Sequence, residues 1–293
     1  MSLFQGSGVA IVTPFNEDFT VNYKVFEELI DFQLANGTDA IIVCGTTGEA
    51  STLTDEEQTE CIRFAVEKVN KRVPVLAGAG SNHTEHGVSL AKGCEKAGAD
   101  GLLLVTPYYN KTTQKGLIEH YTLIAGSVDL PLLLYNVPGR TGLNIAPETY
   151  LALSKVENIV GVKEASGNLS QIAEIAALCG PEFDIYSGND DQILPILALG
   201  GKGVVSVLAN VAPKFTHDMV LNFLNGNIKE SIKMQIDAID LCGSLFCEVN
   251  PIPVKAALNM MGKNAGRCKM PLTDMVPANH ERLKRSMEKF GLI

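Results

Sequence analysis

Residues 75–105 read VLAGAGSNHTEHGVSLAKGCEKAGADGLLLV, and this one stretch holds a strand, a helix and a second strand in succession. Val75 to Ala77 and Leu102 to Val105 are short apolar runs bounded by turn residues, too brief for helices. Between them Asn82-x-x-Glu85 marks a helix start, Val88, Ala91 and Cys94 recur along one face, and Gly98 is placed to stop the helix. Runs that are apolar at nearly every position suit parallel strands covered on both faces. The stretch is one β-α-β unit.

The same unit repeats on either side. Apolar runs fall at Val9 to Val12, Ala40 to Val43, Leu132 to Tyr135, Ile159 to Val162, Ile185 to Ser187 and Val204 to Val207, which with the first two make eight. Amphipathic stretches separate them. Val25, Leu29 and Phe32 fall at i, i+4, i+7 before Gly37, and Thr54-Asp55-Glu56-Glu57 has the pattern of a capping box ahead of Ile62, Val66 and Val69. Eight units within about 205 residues, their strands starting roughly 19 to 35 residues apart, predict an α/β fold of the (β/α)8 TIM barrel type. A doubly wound open sheet is the alternative, made less attractive by the lack of a nucleotide-binding fingerprint. After Asn210 the strands cease, and stretches near 214–224, 228–246, 253–261 and 279–290 read as helices. The expected organisation is a catalytic barrel over residues 1–226 and a C-terminal helical appendage over 227–293.

Composition narrows the function. Hydrophobic residues make up 46% and charged residues 19% of the 293, enough apolar side chain for one large core. A net charge of −9 supplies no basic field for a nucleic acid or an anionic membrane surface. The first residues lack a signal-like pattern, and no apolar stretch approaches the ~18 residues of a spanning helix, so the expectation is a cytoplasmic protein. Seven cysteines, odd in number and without a CxxC pair, argue against a disulfide framework or a zinc site and for buried free thiols.

Active sites of such barrels lie at the C-terminal ends of the strands. The residues there are Thr13-Pro14, Gly45-Thr46-Thr47-Gly48-Glu49, Thr106-Pro107-Tyr108-Tyr109, Tyr135-Asn136, Lys163-Glu164 and Ser187-Gly188. Lys163 stands out, because it ends an apolar run on the same face as Gly161. If that face is the lumen, the missing side chain at Gly161 leaves room beneath it, and desolvation favours a neutral amine able to attack a carbonyl carbon. A strand-end lysine that reaches solvent or pairs with Glu164 is the competing reading. Tyr135 and Tyr109 have the chemistry of proton carriers, or of ordinary packing residues at a barrel mouth. The turn at Gly45 to Gly48 offers backbone N–H groups to a carboxylate, and Arg140, on a loop at the same end, suits a second one. His83 and His86 have the spacing of a ligand pair but no evident third ligand, and Asn189-Asp190-Asp191 reads as the cap of a following helix. No metal site is expected.

GTTGEAST at residues 45–52, YNVPGRTG at 135–142 and the lysine of GVKEASG at 161–167 together resemble the dihydrodipicolinate synthase family, and the likeness runs over essentially the whole chain. The resemblance implies a (β/α)8 barrel with a C-terminal helical region, class I aldolase chemistry and a homotetramer built from tight dimers. By motif, Lys163 resembles the lysine that condenses with pyruvate, Tyr135 its general acid/base, and Thr46 and Tyr109 the other members of a proton relay, with Tyr109 reaching the neighbouring subunit. Thr47, Gly188 and Val205 resemble the pyruvate pocket, and Arg140 the residue that receives the carboxylate of aspartate semialdehyde. No cofactor is implied, because a lysine imine is itself the electron sink. Asn189 stands where many relatives carry aspartate.

The wider superfamily includes N-acetylneuraminate lyase and 2-keto-3-deoxy-sugar-acid aldolases, which share the lysine and tyrosine, and Arg140 favours the shorter, dicarboxylate-like partner. A catalytically silent barrel that senses a keto acid is a further alternative. In lysine-inhibited relatives a dimer-interface pocket holds the inhibitor. Here Tyr108 and Asn82 match its pattern, Asp55 and Gln58 stand where those relatives place histidines, and His86 stands in place of the glutamate that meets the lysine ammonium. Weak or absent feedback is expected.

Overall fold

The computed structural model describes residues 2–293. Eight strands run β1 (Gly6–Ala10), β2 (Ala40–Val43), β3 (Val75–Gly78), β4 (Gly101–Val105), β5 (Leu132–Asn136), β6 (Ile159–Glu164), β7 (Asp184–Ser187) and β8 (Gly203–Ser206). Each pairs in parallel with the next, and β8 pairs with β1 through Gly6↔Gly203 to Val9↔Ser206, so the sheet closes into a barrel. The helices are α1 (Tyr23–Ala35), α2 (Asp55–Val69), α3 (Thr84–Lys96), α4 (Gln114–Ala125), α5 (Pro138–Thr141), α6 (Pro147–Leu153), α7 (Leu169–Cys179), α8 (Ile193–Ala198), α9 (Pro213–Leu224), α10 (Ile228–Leu245), α11 (Ile252–Met260) and α12 (Pro277–Phe290). The open-sheet alternative is excluded by this closure.

Alternation along each strand sorts the core into two layers. Val9, Ile41, Ala77, Leu104, Leu134 and Val162 face the helices, whereas Ala10, Ile42, Leu76, Leu103, Leu133 and Val205 fill the lumen with Tyr135 and Tyr186. Phe4 plugs the lower end, stacked on Tyr186 with ring centroids 4.3 Å apart.

Several strands extend past their apolar runs. β1 starts at Gly6 rather than Val9 and β8 at Gly203, because strand closure here requires glycine: a Cβ on Gly203 would collide with the Gly6 backbone. Hydrophobicity cannot report such positions. At the other end, β6 continues through Lys163 and Glu164, so both charged residues lie within the sheet. The capping box at Thr54 is formed, Glu57 N–H donating to Thr54 Oγ1 at 3.1 Å and Thr54 N–H to Glu57 Oε2 at 3.0 Å. Asn82 does not cap α3. It donates instead to the Tyr108 carbonyl (3.1 Å), and His83 stands at the cap.

The four C-terminal stretches fold as the helices α9 to α12, within a residue or two of their expected ends. Along α10, Ile228, Ile232, Ile236 and Ile239 form an exposed apolar stripe that continues at Phe246. All seven cysteines are free thiols, five of them buried.

Candidate active site

A cavity of about 390 Å³ opens at the C-terminal ends of the strands, with Gly45, Thr46, Val105, Tyr135, Arg140 and Thr141 on its walls. Leu53, Asp55, Gln58, His86 and Tyr108 also line it. Lys163 is not on the wall of this cavity. Its ammonium lies 4.2 Å from the centroid of the Tyr135 ring, which is. Tyr135 and Lys163 are register partners on β5 and β6, so the two strands present phenol and amine side by side on the luminal face.

Lys163 is only 5% exposed, and no carboxylate pairs with it among the described residues. Glu164, its alternative partner, points the other way. It is fully buried on the helix side, where its Oε1 accepts from Asn136 Nδ2 at 2.7 Å and from the Ser166 N–H at 3.3 Å. Desolvation raises its carboxyl to about 7, against the opposing pull of Asn136. Gly161 does not make room for the lysine. The space its side chain would occupy is not left open beneath the lysine but filled by the carbonyl and Cβ of Asp184 on β7. Gly188 serves that purpose instead: a Cβ there would stand 3.1 Å from Lys163 Cε, so glycine keeps the lysine arm clear. Val205 is wholly buried in the same luminal cluster as Tyr135.

The Gly45–Glu49 turn is held from three sides. Thr13 Oγ1 donates to the Gly48 carbonyl (2.7 Å), Asn250 Nδ2 donates to Thr47 Oγ1 (3.0 Å), and Lys255 on α11 pairs with Glu49 at 2.9 Å. Arg140 sits on α5, a single helical turn opened by Pro138, rather than on a loop. Its Nη2 donates to the Asn250 carbonyl (3.4 Å), and no ion pair engages the guanidinium among the described residues. Asn250 thus bridges the Thr47 turn and Arg140. A survey of strand ends misses it, because it comes from the connection between α10 and α11.

Tyr109 does not join this group within one chain. It adopts φ 69° on the β4–α4 connection and is 91% exposed. Thr46 and Tyr135 share the cavity without a direct hydrogen bond among the described residues, and Tyr109 is not on its wall. The Asn189-Asp190-Asp191 segment does not cap α8. Asp190 is buried and instead accepts from Ser206 Oγ (2.5 Å) and the N–H groups of Val207 (3.0 Å) and Leu208 (2.8 Å), capping the short turn after β8. His86 bonds to Asp55 through Nε2 (3.0 Å) and shares a hydrogen bond with Ser81 Oγ through Nδ1 (3.1 Å), while Glu85 beside it is 93% exposed at the side chain.

The arrangement is that of a buried amine next to a phenol, with an amide turn and a guanidinium at the same end of the barrel. The sequence profile of the Dihydrodipicolinate synthetase family matches residues 3–290. The chain is 58% identical to the 4-hydroxy-tetrahydrodipicolinate synthase of Acetivibrio thermocellus over 291 residues, covering 99% of each, and 59% identical over 294 residues to that of Lachnoclostridium phytofermentans, covering all of both. Among solved structures it is similar to the DHDPS of Cyanidioschyzon merolae with lysine bound (TM-score 0.97, 43% identity, 100% of each chain). It is similar also to the dihydrodipicolinate synthase of Acinetobacter baumannii complexed with pyruvate (TM-score 0.97, 41% identity, 99% of each). The chain belongs to the dihydrodipicolinate synthetase family, whose members are class I pyruvate-dependent aldolases that work through a Schiff-base lysine.

Proposed function

We propose that this chain condenses pyruvate with (S)-aspartate 4-semialdehyde to form 4-hydroxy-tetrahydrodipicolinate, on the route to diaminopimelate and lysine. The observation that carries this reading is the buried, unpaired Lys163 amine facing Tyr135 at the barrel mouth. In its neutral form Lys163 attacks pyruvate C2, and the carbinolamine loses water to give a protonated imine. That imine draws electrons from C3, whose proton leaves, and the enamine so formed bonds from C3 to the aldehyde carbon. The substrate's own amine then adds to C2, displaces Lys163 and closes the ring. Tyr135 moves the protons, with Thr46 and a partner subunit's copy of Tyr109 as the further hydroxyls. The Thr47 turn holds the pyruvate carboxylate, with Gly188 and Val205 lining the pocket. The imine supplies the electron sink, so the chemistry asks for no metal or organic cofactor.

Arg140 is the receiver of the semialdehyde carboxylate. Arg140→Ala is expected to raise KM for the semialdehyde by roughly 10 to 100-fold while leaving that for pyruvate within about 2-fold, since one charge-assisted contact is lost away from the imine. Equal losses for both substrates would mean the α5 turn had collapsed. A coupled assay with pyruvate and the semialdehyde, run beside N-acetylneuraminate cleavage, tests the activity as a whole. Turnover of the sugar acid alone would favour the superfamily alternative.

The assembly is proposed to be a dimer of dimers. The fully exposed Tyr109 and the isoleucine stripe of α10 support it, because each leaves apolar surface that a second copy would cover. The dimer is then the smallest active unit, and a monomer with full activity, measured by sedimentation and assay at one concentration, would refute the role of Tyr109. A cytoplasmic location suits seven free thiols, and no described helix is long and apolar enough to cross a membrane.

Feedback by lysine is expected to be absent at millimolar concentration. On the cavity wall the Asp55 carboxylate is already engaged by His86, and Glu85 points to solvent, so no free carboxylate meets an incoming ammonium. Submillimolar inhibition with lysine bound between Tyr108 and Asn82 would overturn this.

A further inference from the structure

Glu49 closes the Gly45–Glu49 turn in the left-handed region (φ 57°), with a carboxylate only 1% exposed. Its Oε1 accepts from Lys255 Nζ at 2.9 Å, and its Oε2 accepts from the backbone N–H of Lys269 at 2.8 Å. Lys255, itself 2% exposed, donates its other two ammonium hydrogens to the carbonyls of Thr13 (3.0 Å) and Arg267 (2.8 Å), and the ring of Phe15 covers it at 4.2 Å. All three donors are used, so the ammonium has one position. Desolvation pushes it down, and Glu49 pushes back.

A buried ion pair seldom stabilises a fold more than apolar residues of the same volume would, so its value is in fixing geometry. What this pair fixes is next to the chemistry. The Glu49 N–H donates to the Thr46 carbonyl at 3.1 Å, the Ala50 N–H to Gly45 at 3.4 Å, and Thr13, whose carbonyl Lys255 grips, donates its hydroxyl to Gly48. The path of the Thr46 and Thr47 backbone is therefore set at its far end by Glu49. Removing either charge would free that end to rotate while leaving Lys163 and Tyr135 in place on their strands.

We propose that Lys255 and Glu49 are positioning residues for the keto-acid carboxylate: they hold the Thr46–Thr47 amides in the receiving geometry and touch no substrate themselves. This rests on the reading that the turn takes the pyruvate carboxylate. It makes the C-terminal helices a working part of the site.

The test compares two variants with the native enzyme. Lys255→Met combined with Glu49→Gln removes both charges and strands neither. Glu49→Asp keeps the charge but shortens its reach by one methylene. The readout is the pyruvate concentration giving half-maximal borohydride trapping without the second substrate, together with KM for the semialdehyde and the thermal midpoint. The half-saturating pyruvate is expected to rise by about 10-fold or more in the double variant and by less in Glu49→Asp, with KM for the semialdehyde within about 2-fold. Unchanged pyruvate half-saturation with only a lowered midpoint would make the pair purely structural and overturn the proposal. So would equal losses for both substrates. Should the double variant not fold, Glu49→Asp decides by the same criterion. Native enzyme that is not trapped at all would instead sink the imine reading beneath it.

Discussion

Borohydride added with pyruvate is expected to inactivate the enzyme and leave a reduced three-carbon adduct on Lys163, located by peptide mass spectrometry. Hydride reduces an imine and leaves a free amine untouched, so the adduct marks the residue that formed the bond. The geometry makes the choice among lysines. Lys163 is buried on the luminal face with no carboxylate partner, whereas Lys255, the other deeply buried lysine, has its ammonium hydrogens committed to Glu49, Thr13 and Arg267. Lys163→Met should lower turnover by roughly 10⁴-fold or more, since the covalent route is lost outright. An adduct mapped to Lys255, or full turnover by Lys163→Met, would dismiss the assignment.

Tyr135→Phe should cost about 10²-fold or more in turnover, the usual toll of removing a general acid/base. The ring itself should stay, because Tyr135 packs with Leu103, Leu133 and Val205 in the lumen and its ring faces the Lys163 ammonium at 4.2 Å. Phenylalanine preserves that packing, so a loss of rate with an unchanged thermal midpoint separates proton transfer from structure. An unaltered rate would reduce Tyr135 to a packing residue.

Apolar runs and capping signals made the barrel legible, since each strand is covered on both faces and each helix shows one buried stripe. Its strand ends were less so. Gly6 and Gly203 close the sheet because they lack side chains, and hydrophobic patterning records nothing there. The candidate site was legible where chemistry interrupts pattern, as at Lys163 in β6. It was illegible where the turn rests on distant contacts: Asn250 and Lys255 lie about 200 residues from it, one in the connection after α10 and the other on α11, a helix that periodicity describes only as packed. Local spacing also misjudges Asp190, whose partners come from the end of β8 and the turn after it rather than from the helix that follows it. A glycine on the lysine's face suggests room beneath it, yet at Gly161 the neighbouring strand occupies that room.

The grip of residues 250–269 on the Gly45–Glu49 turn bears on how the enzyme comes into being during translation. A nascent chain acquires Lys163, Tyr135 and all eight strands well before Asn250, Lys255 and the Lys269 amide have been made. Contacts of such long sequence separation form late, and large chains fold through partly assembled states. A ribosome-bound barrel can therefore be closed and still lack the fastening of its Gly45–Glu49 turn. Residues 250–269 are where synthesis fastens that turn, and a product stalled or truncated before them would hold Lys163 and Tyr135 beside a turn left without its three distant anchors.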